Sequence, residues 1–212
     1  MPKKAAYIVV CFVVLALSLI FLVCMRTQAD PEKVLVEARG KTFSSKGWSF
    51  EEKVNFSSAR LLISGNVDLE NNALNTTIIK LQDSFPSLTI TFSNKSSTYV
   101  NIEGGWIRVG SGWTPEQTVL YRALELAISS QDKSAKAMDR FLDVFFEGRC
   151  SLNCKELYET LQSLAALAQE QPVNYRGVVR IEDGFVKVLY IEFLSRNQTI
   201  CTLLYVLTEI RK

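Results

Sequence analysis

GWSFEEKVNFSSARLLISGNVDL, residues 47–69, is where the chain turns from a helical period to a period of two. Trp48, Phe50, Val54 and Phe56 share one parity, Glu51, Lys53 and Asn55 the other, and Glu52 interrupts the apolar face. From Ala59 to Leu69, Leu61, Ile63, Val67 and Leu69 fall on one side, with Arg60, Ser64, Asn66 and Asp68 opposite. Alternation over this length describes strands with one face on a core. Downstream, Glu70-Asn71-Asn72 reads as a turn into a return strand, Ala73–Leu81. Leu88-Thr89-Ile90-Thr91-Phe92 alternates apolar and hydroxyl side chains, and Thr98–Glu103 and Trp106–Val109 follow across Asn94-Lys95-Ser96 and Gly104-Gly105. Six short strands joined by tight turns make an antiparallel meander. Its alternation predicts an apolar inner face and a polar, wet outer one.

Upstream, Asp30-Pro31-Glu32 starts a short helix, with an acceptor at the cap and proline at the first position. Gly40 is its expected stop. Downstream, Thr114-Pro115-Glu116-Gln117 has the form of a capping box and predicts a helix carrying Leu120, Leu124, Ala127 and Ile128. A second stripe, Met138, Phe141, Leu142, Phe145 and Phe146 up to Gly148, reads as another helix, with Asp139 and Asp143 on its solvated side. A third, capped by Asn153 and Glu156, carries Leu157, Leu161, Leu164, Ala165 and Ala168 and ends by Pro172. The chain closes in three strands, Tyr175–Glu182, Phe185–Ser195 and Thr199–Ile210, with Asp183-Gly184 as a two-residue hairpin turn. The last two are apolar on both parities and so are expected to be covered on both faces. The fold class is therefore α+β: a strongly curved antiparallel sheet, an incomplete barrel, with helices on its concave side.

Ahead of this domain lies Ala5–Met25, which holds no charge and no proline. About twenty-one helical residues rise roughly 31 Å, enough for a hydrocarbon core. Lys3 and Lys4 precede the run and Arg26 follows it, which places the N-terminus in the cytoplasm and the remainder outside. A cleaved signal peptide, ending at Thr27-Gln28-Ala29, is the competing reading; the length of the run favours an uncleaved anchor. Residues 1–29 are thus read as anchor and juxtamembrane segment, and residues 30–212 as one extracytoplasmic domain.

Composition narrows the function. Apart from those three basic residues, the chain carries 21 of its 24 Lys and Arg against all 22 Asp and Glu. A near-neutral domain without a basic block offers nothing to nucleic acid. The absence of histidine removes Ser-His-Asp and Cys-His catalysis and every histidine metal site. No catalytic constellation, cofactor or metal site is legible. Gly110-Ser111-Gly112 lacks the glycine and lysine spacing of a phosphate loop and reads as a corner. Cys150 and Cys154 stand close enough for a local bridge in an oxidising compartment, leaving Cys201 free. Asn55, Asn75, Asn94 and Asn197 begin N-x-Ser/Thr sequons.

The order of elements, with Trp48-Ser49-Phe50 opening the first strand, Leu61–Asp68 with Gly65, the Tyr99–Trp106 stretch and the closing Gly177–Glu182, Asp183-Gly184 and Val186–Phe193, resembles the LolA/LppX-like lipoprotein-carrier family. The resemblance implies an incomplete barrel plugged by helices that shelters acyl chains in the gap. The chain departs from soluble members in its uncleaved-looking anchor, and from lipidated ones in having Val23 before Cys24. The apolar cavity so implied would be lined by Leu120, Leu124, Phe141 and Phe145 from the helices and by Ile63, Ile90, Phe92, Val188 and Tyr190 from the sheet. Two function classes follow: a membrane-anchored module binding an acyl chain or other apolar ligand, or a non-enzymatic surface interaction or assembly protein with a filled core and a protein partner. Neither is an enzyme.

Overall fold

The computed structural model describes residues 29–82, 85–167 and 170–212; the apolar run Ala5–Met25 lies outside them. Among the described residues no helix is long and apolar enough to cross a membrane.

The first helix, α1 (Pro31–Phe43), begins where the sequence marks it: Asp30 accepts from the Glu32 amide at 3.0 Å. It does not stop at Gly40. A glycine inside a helix costs about 1 kcal/mol, and the extra turn recovers it by burying Thr42, whose hydroxyl accepts from the Val186 amide at 3.1 Å. Phe43 then packs edge-on against Trp48 and Tyr121.

Among the described residues, eleven antiparallel strands form one sheet. In chain order they are β1 (Gly47–Phe56), β2 (Arg60–Asp68), β3 (Ala73–Gln82), β4 (Phe85–Ser93), β5 (Ser97–Ile102), β6 (Gly105–Ser111), β7 (Asp132–Ala137), β8 (Phe141–Arg149), β9 (Asn174–Glu182), β10 (Phe185–Ser195) and β11 (Gln198–Arg211). Their spatial order is β6-β5-β4-β3-β2-β1-β11-β10-β9-β8-β7. The two meanders read from the sequence are therefore halves of one sheet, joined where β1 pairs with β11 from Gly47–Arg211 to Phe56–Cys201. The sheet curls without closing, and β6 and β7 are its edges.

The stretch read as a second helix is the β7–β8 hairpin. Phe141 and Phe145 are four apart, a spacing that fits one helix face and one strand face equally. What decides it is Val144 and Phe146, which alternate with them and enter the core. Asp143 is accordingly not on a solvated helix: it is buried beside its cross-strand partner Arg180, which donates to both carboxylate oxygens at 2.8 and 2.9 Å.

Two further helices cover the concave face. The capping box of Thr114 and Gln117 opens only a 3-10 turn, Pro115–Gln117; Thr118 then caps α2 (Val119–Ser129), its hydroxyl accepting from the Tyr121 amide at 3.1 Å. Lys133 closes the other end, donating to the carbonyls of Ile128 and Ser130, where a cation suits the helix dipole. The last helix, α3 (Leu152–Ala165), follows Ser151 rather than Asn153 and ends at Ala166, whose φ of 50° turns the chain left-handed well before Pro172. Cys150, just after β8, is bonded to Cys154 in the first turn of α3, with Cα atoms 5.1 Å apart. The core between sheet and helices is contiguous and holds Leu35, Trp48, Leu120, Leu124, Tyr158 and Leu189.

Candidate functional site

Register assigns each strand residue to a face, because directly paired residues point the same way. In β1 the inward set is Trp48, Phe50, Glu52, Val54 and Phe56. Through β2 and β3 it continues as Ile63 opposite Ile78, and Val67 opposite Leu74. Thr76 pairs with Thr91, so in β4 the hydroxyls face inward, where those two bond each other and Ser93 donates to Thr98 at 3.1 Å. Leu88, Ile90 and Phe92 therefore face outward. The outer face is polar over β1 and β2 but not, as the alternation predicted, over β3 and β4.

On the concave side the inward set of β1–β4, with Tyr205 of β11, faces Trp113, Val119 of α2 and Leu164 of α3 across a cavity of about 240 Å³. Its walls are mostly apolar: Phe50, Ile63, Leu74, Ile78, Val119 and Leu164. Trp113 reaches it because Gly112 presses on the Lys95 backbone, where a Cβ would stand 1.9 Å from the carbonyl oxygen. The glycines before α2 thus serve a tight corner.

Polar groups punctuate the lining, and nearly all are engaged within the protein. Tyr205 accepts from Trp48 Nε1 at 3.2 Å. Thr118 donates to the Pro115 carbonyl at 2.7 Å, Thr160 to that of Glu156 at 2.7 Å, and Gln117 Oε1 accepts from the Thr114 amide at 3.1 Å. Two atoms are not: Glu52 Oε1 and Trp113 Nε1 are buried without a hydrogen-bond partner. Glu52 is 3% exposed. Burial in this apolar setting pushes its carboxyl up from 4.5 to about 8, because desolvation penalises the charged form. The same carboxyl helps hold the Cys201 thiol and the Tyr205 hydroxyl above their usual ranges, burial being the larger cause for both.

Of the residues expected to line the concave cavity, Ile63 is the one that does so. Leu120 and Leu124 lie nearby on α2 but are fully buried in solid packing. Ile90 and Phe92 are on the outer face of β4, Phe92 stacked on Tyr99 at 6.3 Å. Phe141 and Phe145 belong to β8, not to a helix, and face outward, as do Val188 and Tyr190 of β10. The doubly apolar closing strands have their core on the parity of Leu189, Ile191 and Phe193. Phe145 and Tyr190 line an open outer hollow of about 610 Å³ with Val178, Arg176 and Glu192. There Arg176 donates to Glu192 Oε2 at 2.5 Å and Tyr190 to Oε1 at 2.7 Å. Burial, then the bond to Glu192, pushes Tyr190 up to about 12.

Among the sequons, Asn55 uses its side chain within the sheet, donating to Thr202 and accepting from Arg60. Asn94 Oδ1 accepts from the Ser96 and Ser97 amides; Asn75 and Asn197 are exposed.

No protein-family model matches the sequence, and no curated protein is detectably similar to it. Solved structures are. LprF from Mycobacterium bovis is 11% identical, with a TM-score of 0.51 over 85% of this chain and 92% of its own. A β-barrel-like protein of a domain of unknown function from Brucella abortus is 7% identical over 79% of this chain and 97% of its own; its TM-score of 0.26 adds nothing to the argument. At this identity the likeness to LprF speaks to architecture alone. The unclosed, curled sheet with its helical cover is a LolA/LppX-like fold.

Proposed function

We propose that this chain is a membrane-anchored, extracytoplasmic module that binds an acyl chain or another apolar ligand in the concave cavity. The carrying observation is the cavity itself: a gap lined mainly by apolar side chains, in a fold whose sheet and helices could have packed shut. The LolA/LppX-like fold supports the same reading by analogy. Substituting Ile78→Trp, which adds bulk inside the gap on a strand that tolerates aromatics, should abolish uptake of a fluorescent acyl probe by the full chain and leave its melting temperature within a few degrees. Leu124→Trp, in solid packing, is the control and should cost about 1–3 kcal/mol. If wild type takes up no probe, the reading fails.

The anchor belongs to the same proposal, with Ala5–Met25 spanning once and Lys3 inside. Tags at each end, probed in intact cells, should show a protected N-terminus and a protease-accessible C-terminus; the reverse pattern, or a mature protein beginning at Asp30, would refute it. A second reading, an assembly module, draws on one observation. Leu88, Ile90 and Trp106 share the outer face of β4 and β6 and are exposed, an apolar patch of the kind that partners cover.

A further inference from the structure

Glu52 breaks the apolar parity of β1 at a position where a leucine or valine would continue it. A buried carboxyl with an unpaired oxygen is costly to any fold. Trp113 carries the complementary defect, a buried indole N–H with no acceptor. Both residues line the same cavity, one from the centre of the sheet and one from the corner before α2. Every other polar residue of the lining, namely Thr76, Thr91, Gln117, Thr118, Thr160 and Tyr205, has a partner within the protein. The unpaired pair thus comprises one donor and one carboxyl oxygen in a lining whose other polar groups are already engaged.

We propose that Glu52 and Trp113 form the head-group site of this cavity, and that it takes an uncharged single-chain amphiphile of the long-chain alcohol class. The ligand's hydroxyl accepts from Trp113 Nε1–H and donates to Glu52 Oε1, while its chain lies along Ile63, Leu74, Ile78 and Val119. This rests on the apolar-ligand reading above and adds the identity of the head.

Three observations select this class. A plain hydrocarbon would leave both polar atoms buried and unpaired. An anionic head would sit beside Glu52 without a counter-charge: among the described residues no lysine or arginine lines the cavity, and Arg122 on α2 is spent on the Thr160 hydroxyl at 2.8 Å. An ammonium head could donate to Glu52 but has no lone pair for Trp113. The volume speaks to chain number, since about 240 Å³ falls below the roughly 300–1,000 Å³ of sites that enclose a drug-sized molecule.

The test uses the full chain in maltoside micelles, titrated separately with decanol, decanoate and decylammonium and read by native mass spectrometry, with thermal unfolding in parallel. Wild type should retain decanol about tenfold more tightly than either ion, the scale of leaving one buried polar group unpaired. Glu52→Leu and Trp113→Phe should each erase that preference, while Glu52→Gln, which keeps an acceptor oxygen, should preserve it. Glu52→Leu should also raise the melting temperature, because it removes a buried polar group that only the ligand satisfies. Should Glu52→Leu fail to fold, the contrast between Glu52→Gln and Trp113→Phe carries the test. Equal retention of the three probes, unchanged by Glu52→Leu, overturns the head-group site and leaves the apolar-ligand reading standing. Preference for decylammonium that Glu52→Gln abolishes, or preference for decanoate, overturns it in favour of a charged head. Retention of none, together with no uptake of a fluorescent acyl probe, overturns both readings.

Discussion

Replacing Glu52 by glutamine should flatten the dependence of stability on pH between about pH 5 and 8. In the unfolded chain this carboxyl has its ordinary value, 4.5, and in the folded domain burial moves it to about 8. Below the unfolded value both states hold the proton and the group contributes no slope. Between the two values the unfolded chain releases a proton that the folded domain keeps, so rising pH favours unfolding. Above the folded value both states are ionised and the slope ends. Each pH step of one inside the window costs about 1.4 kcal/mol, which gives on the order of 4 kcal/mol across it. That is a large share of the roughly 5–15 kcal/mol that holds an ordinary domain together. The chain is well suited to the measurement because it has no histidine. Asp68 and Glu192 are shifted down and act at more acid pH. Cys201 and Tyr205, which face Glu52 from β11, are shifted up out of the window. Urea unfolding of the full chain in micelles at several pH values, followed by tryptophan fluorescence, should show wild type weakening steadily from pH 5 to 8 and Glu52→Gln holding level. Parallel profiles for the two proteins would refute the assignment of a buried, protonated Glu52.

Two further outcomes bear on the scaffold. Gly177→Ala should destabilise the domain by about 1–3 kcal/mol, because a Cβ there would stand 2.4 Å from both the Phe146 ring and the Tyr190 carbonyl oxygen; a melting temperature unchanged within a degree would contradict the β8–β9–β10 register. Peptide mapping after alkylation of the denatured, unreduced chain should recover Cys150 and Cys154 linked and Cys201 modified; free Cys150 would refute the bridge.

Much of the architecture is legible in the residues because most of its strands carry period two in isolation. Val54, Leu61, Ile63 and Val67 declare both a strand and its buried face, since Lys53, Asn55, Arg60, Ser64, Asn66 and Asp68 hold the opposite parity. In β4 the alternation of Leu88, Ile90 and Phe92 with Thr89 and Thr91 declares a strand but not its direction. There the hydroxyls turn inward because they can bond each other across β3 and β4, a pairing that only the register reveals. The β7–β8 hairpin reads as a helix from sequence because Phe141 and Phe145 satisfy both periods, and β10 hides its core side because a strand apolar on both parities does not say which one meets the helices. The cavity's decisive residue was visible: Glu52 breaks a clean parity. What made it informative, the lack of any buried partner, arises only when β1, β2, β11 and Trp113 are brought together.

The pairing of β1 with β11 at the middle of the sheet also sets the order in which the domain can be made. β1 has one neighbour, β2, available within a few residues, but its other edge waits for β11, Gly47 meeting Arg211. Until β11 emerges, each half of the sheet ends in a bare central edge, the sort of surface that adds a foreign strand. Contacts spanning nearly the whole domain make closure slow, in the millisecond-to-second range typical of non-local β topologies. Assembly of the sheet therefore waits for β11, and a chain truncated ahead of Gln198 would hold two half-sheets in place of a weakened whole.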